Sequence, residues 1–130
     1  MNKRVIHIYC SSGFKTMQEI DELVQTLRNE LLEQPDVFKF HIPFEIDPIT
    51  NALVYADLKR MEQCDIMITH ILEPSVGACM EVAYFKAKYP ERPILGYKCM
   101  KHPWLEEFLS FNTRFPEMIA KFLNEYWLTV

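Results

Sequence analysis

Apolar residues in this chain recur in two alternating rhythms, and that alternation predicts the fold. Val5 to Cys10 is rich in strand formers and breaks at Ser11-Ser12-Gly13, which reads as a first strand and its loop. Thr16, followed by Glu19, has the pattern of a capping box, and Met17, Ile20, Leu23, Val24, Leu27 and Leu31 continue at helical spacing toward the stop at Pro35. Val37 to Ile42, closed by Pro43, predicts a second strand, and Phe44 to Ile49 a loop with a turn at Asp47-Pro48. Thr50 or Asn51 can cap the next helix. Its apolar stripe contains Leu53, Val54, Leu58 and Met61, while Lys59, Arg60, Glu62 and Gln63 face water.

Ile66 to Ile71 is a mostly apolar run that predicts a buried strand, and Glu73-Pro74-Ser75 breaks it before a helix over Val76 to Tyr89. That helix is apolar almost all round, so it is expected to be largely buried, with Glu81 its only acidic residue and a pocket over Gly77. Pro90 stops it. Ile94-Leu95-Gly96-Tyr97 supplies a fourth strand, Trp104 to Leu109 a short helix and Phe111 to Phe115 a brief edge strand, and Pro116 opens a last helix. Strands alternating with helices through short loops predict an α/β fold: one doubly wound, flavodoxin- or Rossmann-like domain over residues 1–130, its parallel sheet of four to five strands in the order 2-1-3-4-5, with helices on both faces. In such sheets ligands bind beyond the carboxyl ends of the strands, which is where Ser75 and Gly77 fall.

Composition narrows the function classes. A chain of 130 residues that is 49% hydrophobic and 25% charged can build one adequate core. Its net charge of -4, without a basic run, argues against a nucleic-acid polymer as partner. Cys10, Cys64, Cys79 and Cys99 are scattered without C-x-x-C spacing or a suitably placed histidine, which predicts reduced thiols and no metal site. No segment reads as a signal peptide or a membrane span, so a cytoplasmic location away from the membrane is expected. Neither a G-x-G-x-x-G after the first strand nor a Walker lysine motif occurs, and no cofactor is called for.

Asp57 is the anomaly of its helix. It lies four residues after Leu53 and four before Met61, on the apolar side, where a carboxylate needs a partner or a task. A salt bridge to a neighbouring base would satisfy it. Ser75 and Gly77 also have plain structural readings, as an N-cap and a packing glycine. His7, His41, His70 and His102 are dispersed and read as packing or surface residues.

Taken together, Asp57-Leu58, then Cys64-Asp65 opening a strand, then Pro74-Ser75-x-Gly77-x-x-x-Glu81 resembles the nucleoside 2-deoxyribosyltransferase family, including its 2'-deoxynucleoside 5'-phosphate N-hydrolase branch. The resemblance covers Asp57 to about Tyr97. It implies cleavage of an N-glycosidic bond of a (deoxy)nucleoside or its 5'-phosphate, with Glu81 as nucleophile and Asp57 in an acid/base or positioning role. Retaining glycoside cleavage uses two such carboxyl groups, one attacking and one handling protons. The resemblance further implies that Ser75 and Gly77, with Tyr9, Ser11 and Gly13 at the end of the first strand, contact the substrate; His7 or Cys10 could instead occupy the place given to Tyr9.

In the loop Cys10-Ser11-Ser12-Gly13-Phe14-Lys15 only Lys15 is basic, whereas the hydrolase branch has an arginine-rich loop there. The 5'-phosphate, and the choice between water and a second base as acceptor, stay open. A nucleotide-binding or sensing module without turnover is the alternative, and a glycohydrolase acting on a dinucleotide cofactor ranks lower. Nine Phe, six Tyr and two Trp are a surplus for this length, and with the family's habit of assembly they predict a homodimer or higher homo-oligomer, with Trp104 to Phe115 at the interface.

Overall fold

The computed structural model describes residues 5–13, 16–31, 36–42 and 51–130. In chain order the elements are β1 (Ile6–Ser12), α1 (Met17–Glu30), β2 (Phe38–His41), α2 (Asn51–Gln63), β3 (Ile66–His70), α3 (Val76–Lys88), β4 (Ile94–Tyr97), α4 (Pro103–Phe108), β5 (Phe111–Thr113) and α5 (Pro116–Thr129). The five strands form one sheet in the order β2-β1-β3-β4-β5, and each neighbouring pair is parallel. This is the predicted order. The loop expected over Phe44 to Ile49, the helix stop at Pro35 and the cap offered by Thr50 lie outside the described residues.

Strand alternation divides the interior into a core on each face of the sheet. On one face Ile6, Ile8 and Cys10 of β1 and Ile66 and Ile68 of β3 pack against Ile20, Leu23, Val24 and Leu27 of α1 and Ile119 and Leu123 of α5. On the other, Tyr9 and Met67 pack against Met61 of α2, Ala78, Val82 and Phe85 of α3, and Leu105 of α4. Tyr9 and Ser11 therefore share the α3 face. Cys10 and Ser12 point the opposite way.

The structure corrects several expectations. Only Ala78, Val82 and Phe85 of α3 are buried, while Val76 is 75% and Met80 67% exposed. An apolar helix without a marked periodicity still lays just one stripe on a sheet, and here the opposite stripe is left to solvent. Thr16 makes no capping bond at the head of α1; its hydroxyl donates to the carbonyl oxygens of Gly13 at 3.1 Å and His70 at 3.4 Å. Glu19, the other half of the expected capping box, turns to His70 instead.

Among the described residues no glycine has a positive φ, and Lys98 at 49° is the left-handed residue. Gly96 is needed for space. A Cβ there would lie 2.7 Å from Cδ1 of Leu109 and 3.0 Å from Oδ1 of Asn112. Cys10, Cys64 and Cys99 are buried and Cys79 is exposed, all as free thiols.

Candidate functional site

Glu81 faces the sheet because it occupies one slot of the buried stripe of α3. Residues 78, 81, 82 and 85 follow the i, i+3, i+4, i+7 spacing of a single helix face. From there its carboxylate meets the end of β1. The Tyr9 hydroxyl donates to Oε2, and the Ser11 hydroxyl donates to Oε1 at 2.9 Å. Tyr9 and Ser11 are both fully buried. Of Tyr9, His7 and Cys10, weighed for one place on the first strand, Tyr9 is bonded to Glu81, and Cys10 lies in the opposite core.

Burial pushes the Glu81 carboxyl up to about 7 against the pull of the two hydroxyl donors, with the charge of Asp57 adding to the rise. The Tyr9 phenol is raised too, by burial first and then by the Glu81 charge, so it stays a neutral donor. Asp57, half-buried on α2, is raised by its own desolvation and lowered by Arg60. Its buried Oδ1 has no hydrogen-bond partner among the described residues. A buried carboxyl oxygen without a donor carries a desolvation cost.

Ser75 and Gly13 form the neighbouring part of the site. Ser75 is the N-cap of α3, yet its side chain makes no capping bond. It lies so close to the end of β1 that a Cβ on Gly13 would stand 2.9 Å from its Oγ and 3.1 Å from its Cβ. A cleft beside them is lined by Gly13, Thr16, His70, Glu73 and Ser75, among others, and Glu81, Tyr9 and Asp57 stand outside that lining. The two groups are joined covalently by Ser11-Ser12-Gly13 on one side and the first turns of α3 on the other. Gly77 is exposed with nothing within 4 Å of an added Cβ, so the space above it is open, and it is not part of the cleft lining.

Sequence reading passed over the pair beneath the cleft. His70, at the end of β3, is fully buried, with Nδ1 2.7 Å from the carbonyl oxygen of Tyr97 and Nε2 3.2 Å from Oε2 of Glu19. It joins β3, β4 and α1 just below Gly13 and Ser75. The one available signal was alternation along Ile66, Ile68 and His70, which puts the histidine on the α1 side. Asp65 ties the entrance of β3 to β1, its Oδ2 accepting from the backbone N–H of His7 at 2.9 Å.

Neither a family model nor a curated protein matches the sequence. Solved structures do match. The 2-deoxyribosyltransferase of Bacillus psychrosaccharolyticus superposes with a TM-score of 0.66 at 13% identity over 88% of this chain and 90% of that one. The chain has the deoxyribosyltransferase fold. A conserved protein of Enterococcus faecalis V583 matches at TM-score 0.56 and 13% identity over 91% and 87% of the two chains. The 2-deoxyribosyltransferase of Leishmania mexicana matches at TM-score 0.52 and 17% identity over 78% and 70%. This fold is the one implied by the motifs between Asp57 and Tyr97. Among the described residues no group of three or more His, Cys, Asp or Glu side chains could hold a metal ion, and no helix is long and apolar enough to cross a membrane.

Proposed function

We propose that the chain cleaves the N-glycosidic bond of a (deoxy)nucleoside or its 5'-phosphate and passes the (deoxy)ribosyl group to a second base or to water. The observation that carries the reading is the half-buried Glu81 carboxylate, held on both oxygens by Tyr9 and Ser11 and within electrostatic reach of Asp57, whose Oδ1 has no partner among the described residues. A surface glutamate would have no such setting.

In this mechanism a carboxylate oxygen of Glu81 attacks the anomeric carbon as the bond to the base nitrogen breaks, through an oxocarbenium-like transition state. Asp57, with its raised carboxyl, supplies a proton to the departing base and takes one from the incoming acceptor. The acceptor nitrogen or water then displaces Glu81 from the sugar. Ser75, free of a capping bond at the N-terminus of α3, and Gly13 and Gly77 beside it are assigned to the sugar or its 5'-substituent.

Chromatography of a panel of nucleosides and 5'-nucleotides, each incubated with and without a second free base, tests this. A new nucleoside formed only with the second base marks a transferase, and free sugar in its absence a hydrolase. An unchanged panel would leave a binding module without turnover. Glu81→Ala is expected to abolish base release while circular dichroism stays unchanged, since alanine suits a helix interior. Asp57→Asn is expected to lower kcat by at least about 100-fold with KM little altered, as for a group that acts in the transition state.

The assembly assigned to this reading is a homodimer or larger homo-oligomer of the chain. It draws support from apolar side chains left in water, among them Trp104 at 68% and Phe115 at 47% exposure.

A further inference from the structure

We infer that Ser11 is a positioning residue for Glu81: with Tyr9 it divides the two carboxylate oxygens, so that the nucleophile is held in one orientation and presented as an anion. The inference rests on the glycosyl-transfer reading of the site. Its own content is narrower, because it concerns what holds the carboxylate.

A glutamate side chain has three rotatable bonds, and packing on α3 does not fix the last of them. Donors at both oxygens do. Tyr9 and Ser11 are separated by one residue on β1, so both side chains leave the same face of a strand whose Cα spacing over that interval is about 7 Å. A long phenol and a short hydroxymethyl group thus converge on a single carboxylate from a rigid, fully buried segment. Strands hold such geometry better than loops.

The Ser11 hydroxyl reaches Glu81 rather than open space, being 0% exposed and 2.9 Å from Oε1. Its cross-strand neighbour on β3 is Thr69, whose buried Oγ1 has no partner among the described residues. The two hydroxyls are therefore not bonded to each other, and the proton of Ser11 goes to the carboxylate. Donation to the charged form favours that form, which a nucleophile requires. Burial raises the Glu81 carboxyl, and Ser11 is one of the two groups that oppose the rise.

The test is a carbon-13 titration of glutamate side-chain carboxyls in the intact chain, with Glu81 assigned by its loss in Glu81→Gln. The wild type is compared with Ser11→Ala, Ser11→Cys and the control Thr69→Val. Ser11→Ala is expected to move the Glu81 midpoint upward by about one pH unit, and Ser11→Cys by less, because a thiol is a weaker donor. Thr69→Val is expected to leave it in place. The acid limb of the base-release profile should move with the midpoint, a change that loss of packing alone would not produce. Identical midpoints in wild type and both Ser11 variants overturn the inference, as does an equal displacement in Thr69→Val. If no nucleoside is cleaved but the displacement is seen, the glycosyl-transfer reading fails and Ser11 remains the holder of Glu81.

Discussion

Burial takes Glu81 from an ordinary carboxyl value of 4.5 up to about 7, so the folded chain binds a proton there that the unfolded chain has already lost. Between those pH values the folded state carries the extra proton, and stability falls as pH rises through the window and levels off above it. The difference corresponds to something on the order of 3 kcal/mol. Glu81→Gln removes the titration while keeping nearly the same shape. It is expected to be more stable than wild type at pH 8 by a few kcal/mol at most, and by much less near pH 4, in urea unfolding at the two pH values. A stability difference independent of pH would mean that Glu81 ionises freely in the fold. The same proton limits chemistry, because only the ionised carboxylate can attack. Base release should therefore climb as pH rises toward neutrality.

At the scale of elements, the glycines separate space needed for packing from space left open. Gly96→Ala on β4 drives a methyl group toward Leu109 and Asn112 and is expected to cost roughly 1–3 kcal/mol in thermal or urea unfolding. Gly77→Ala on α3 meets nothing and should stabilise by up to about 1 kcal/mol. A rise in substrate KM in Gly77→Ala, with the fold intact, would support its assignment to the ligand. The elements were legible because Gly13, Pro43, Pro74 and Pro90 punctuate the chain near their ends, and the strand order because strands and helices alternate through short connections. What α3 buries was not legible. A helix apolar on every side carries no direction in its sequence, and only the sheet beneath it selects Ala78, Glu81, Val82 and Phe85 as the inner stripe. The Thr16 and Glu19 spacing misled for a related reason. Local capping lost to a buried histidine more than fifty residues away, and no spacing rule records that partner.

Across the whole molecule, large apolar side chains among the described residues are exposed on both faces of the sheet, on α2, α3 and α4 and, through Met118 and Leu128, on α5. Tyr55 on α2 is 72% exposed, Val76 and Met80 line the outside of α3, and Trp104 and Phe115 flank β5. Under the assembly proposed above, Trp104→Glu is expected to shift the chain toward monomer in sedimentation velocity and to reduce base release. Unchanged sedimentation at assay concentration would remove Trp104 from any interface.

Cys79 lies on the outer side of α3, two residues before Glu81, and the other three thiols are buried. The thiols of Cys10 and Cys64 are also pushed well above the ordinary thiol range by burial, Cys64 to about 12. A maleimide dye offered to the folded chain thus has a single address, on the same helix as the carboxylate. Fluorescence from that one label would report occupancy of the site by any molecule bound there, whether or not it reacts.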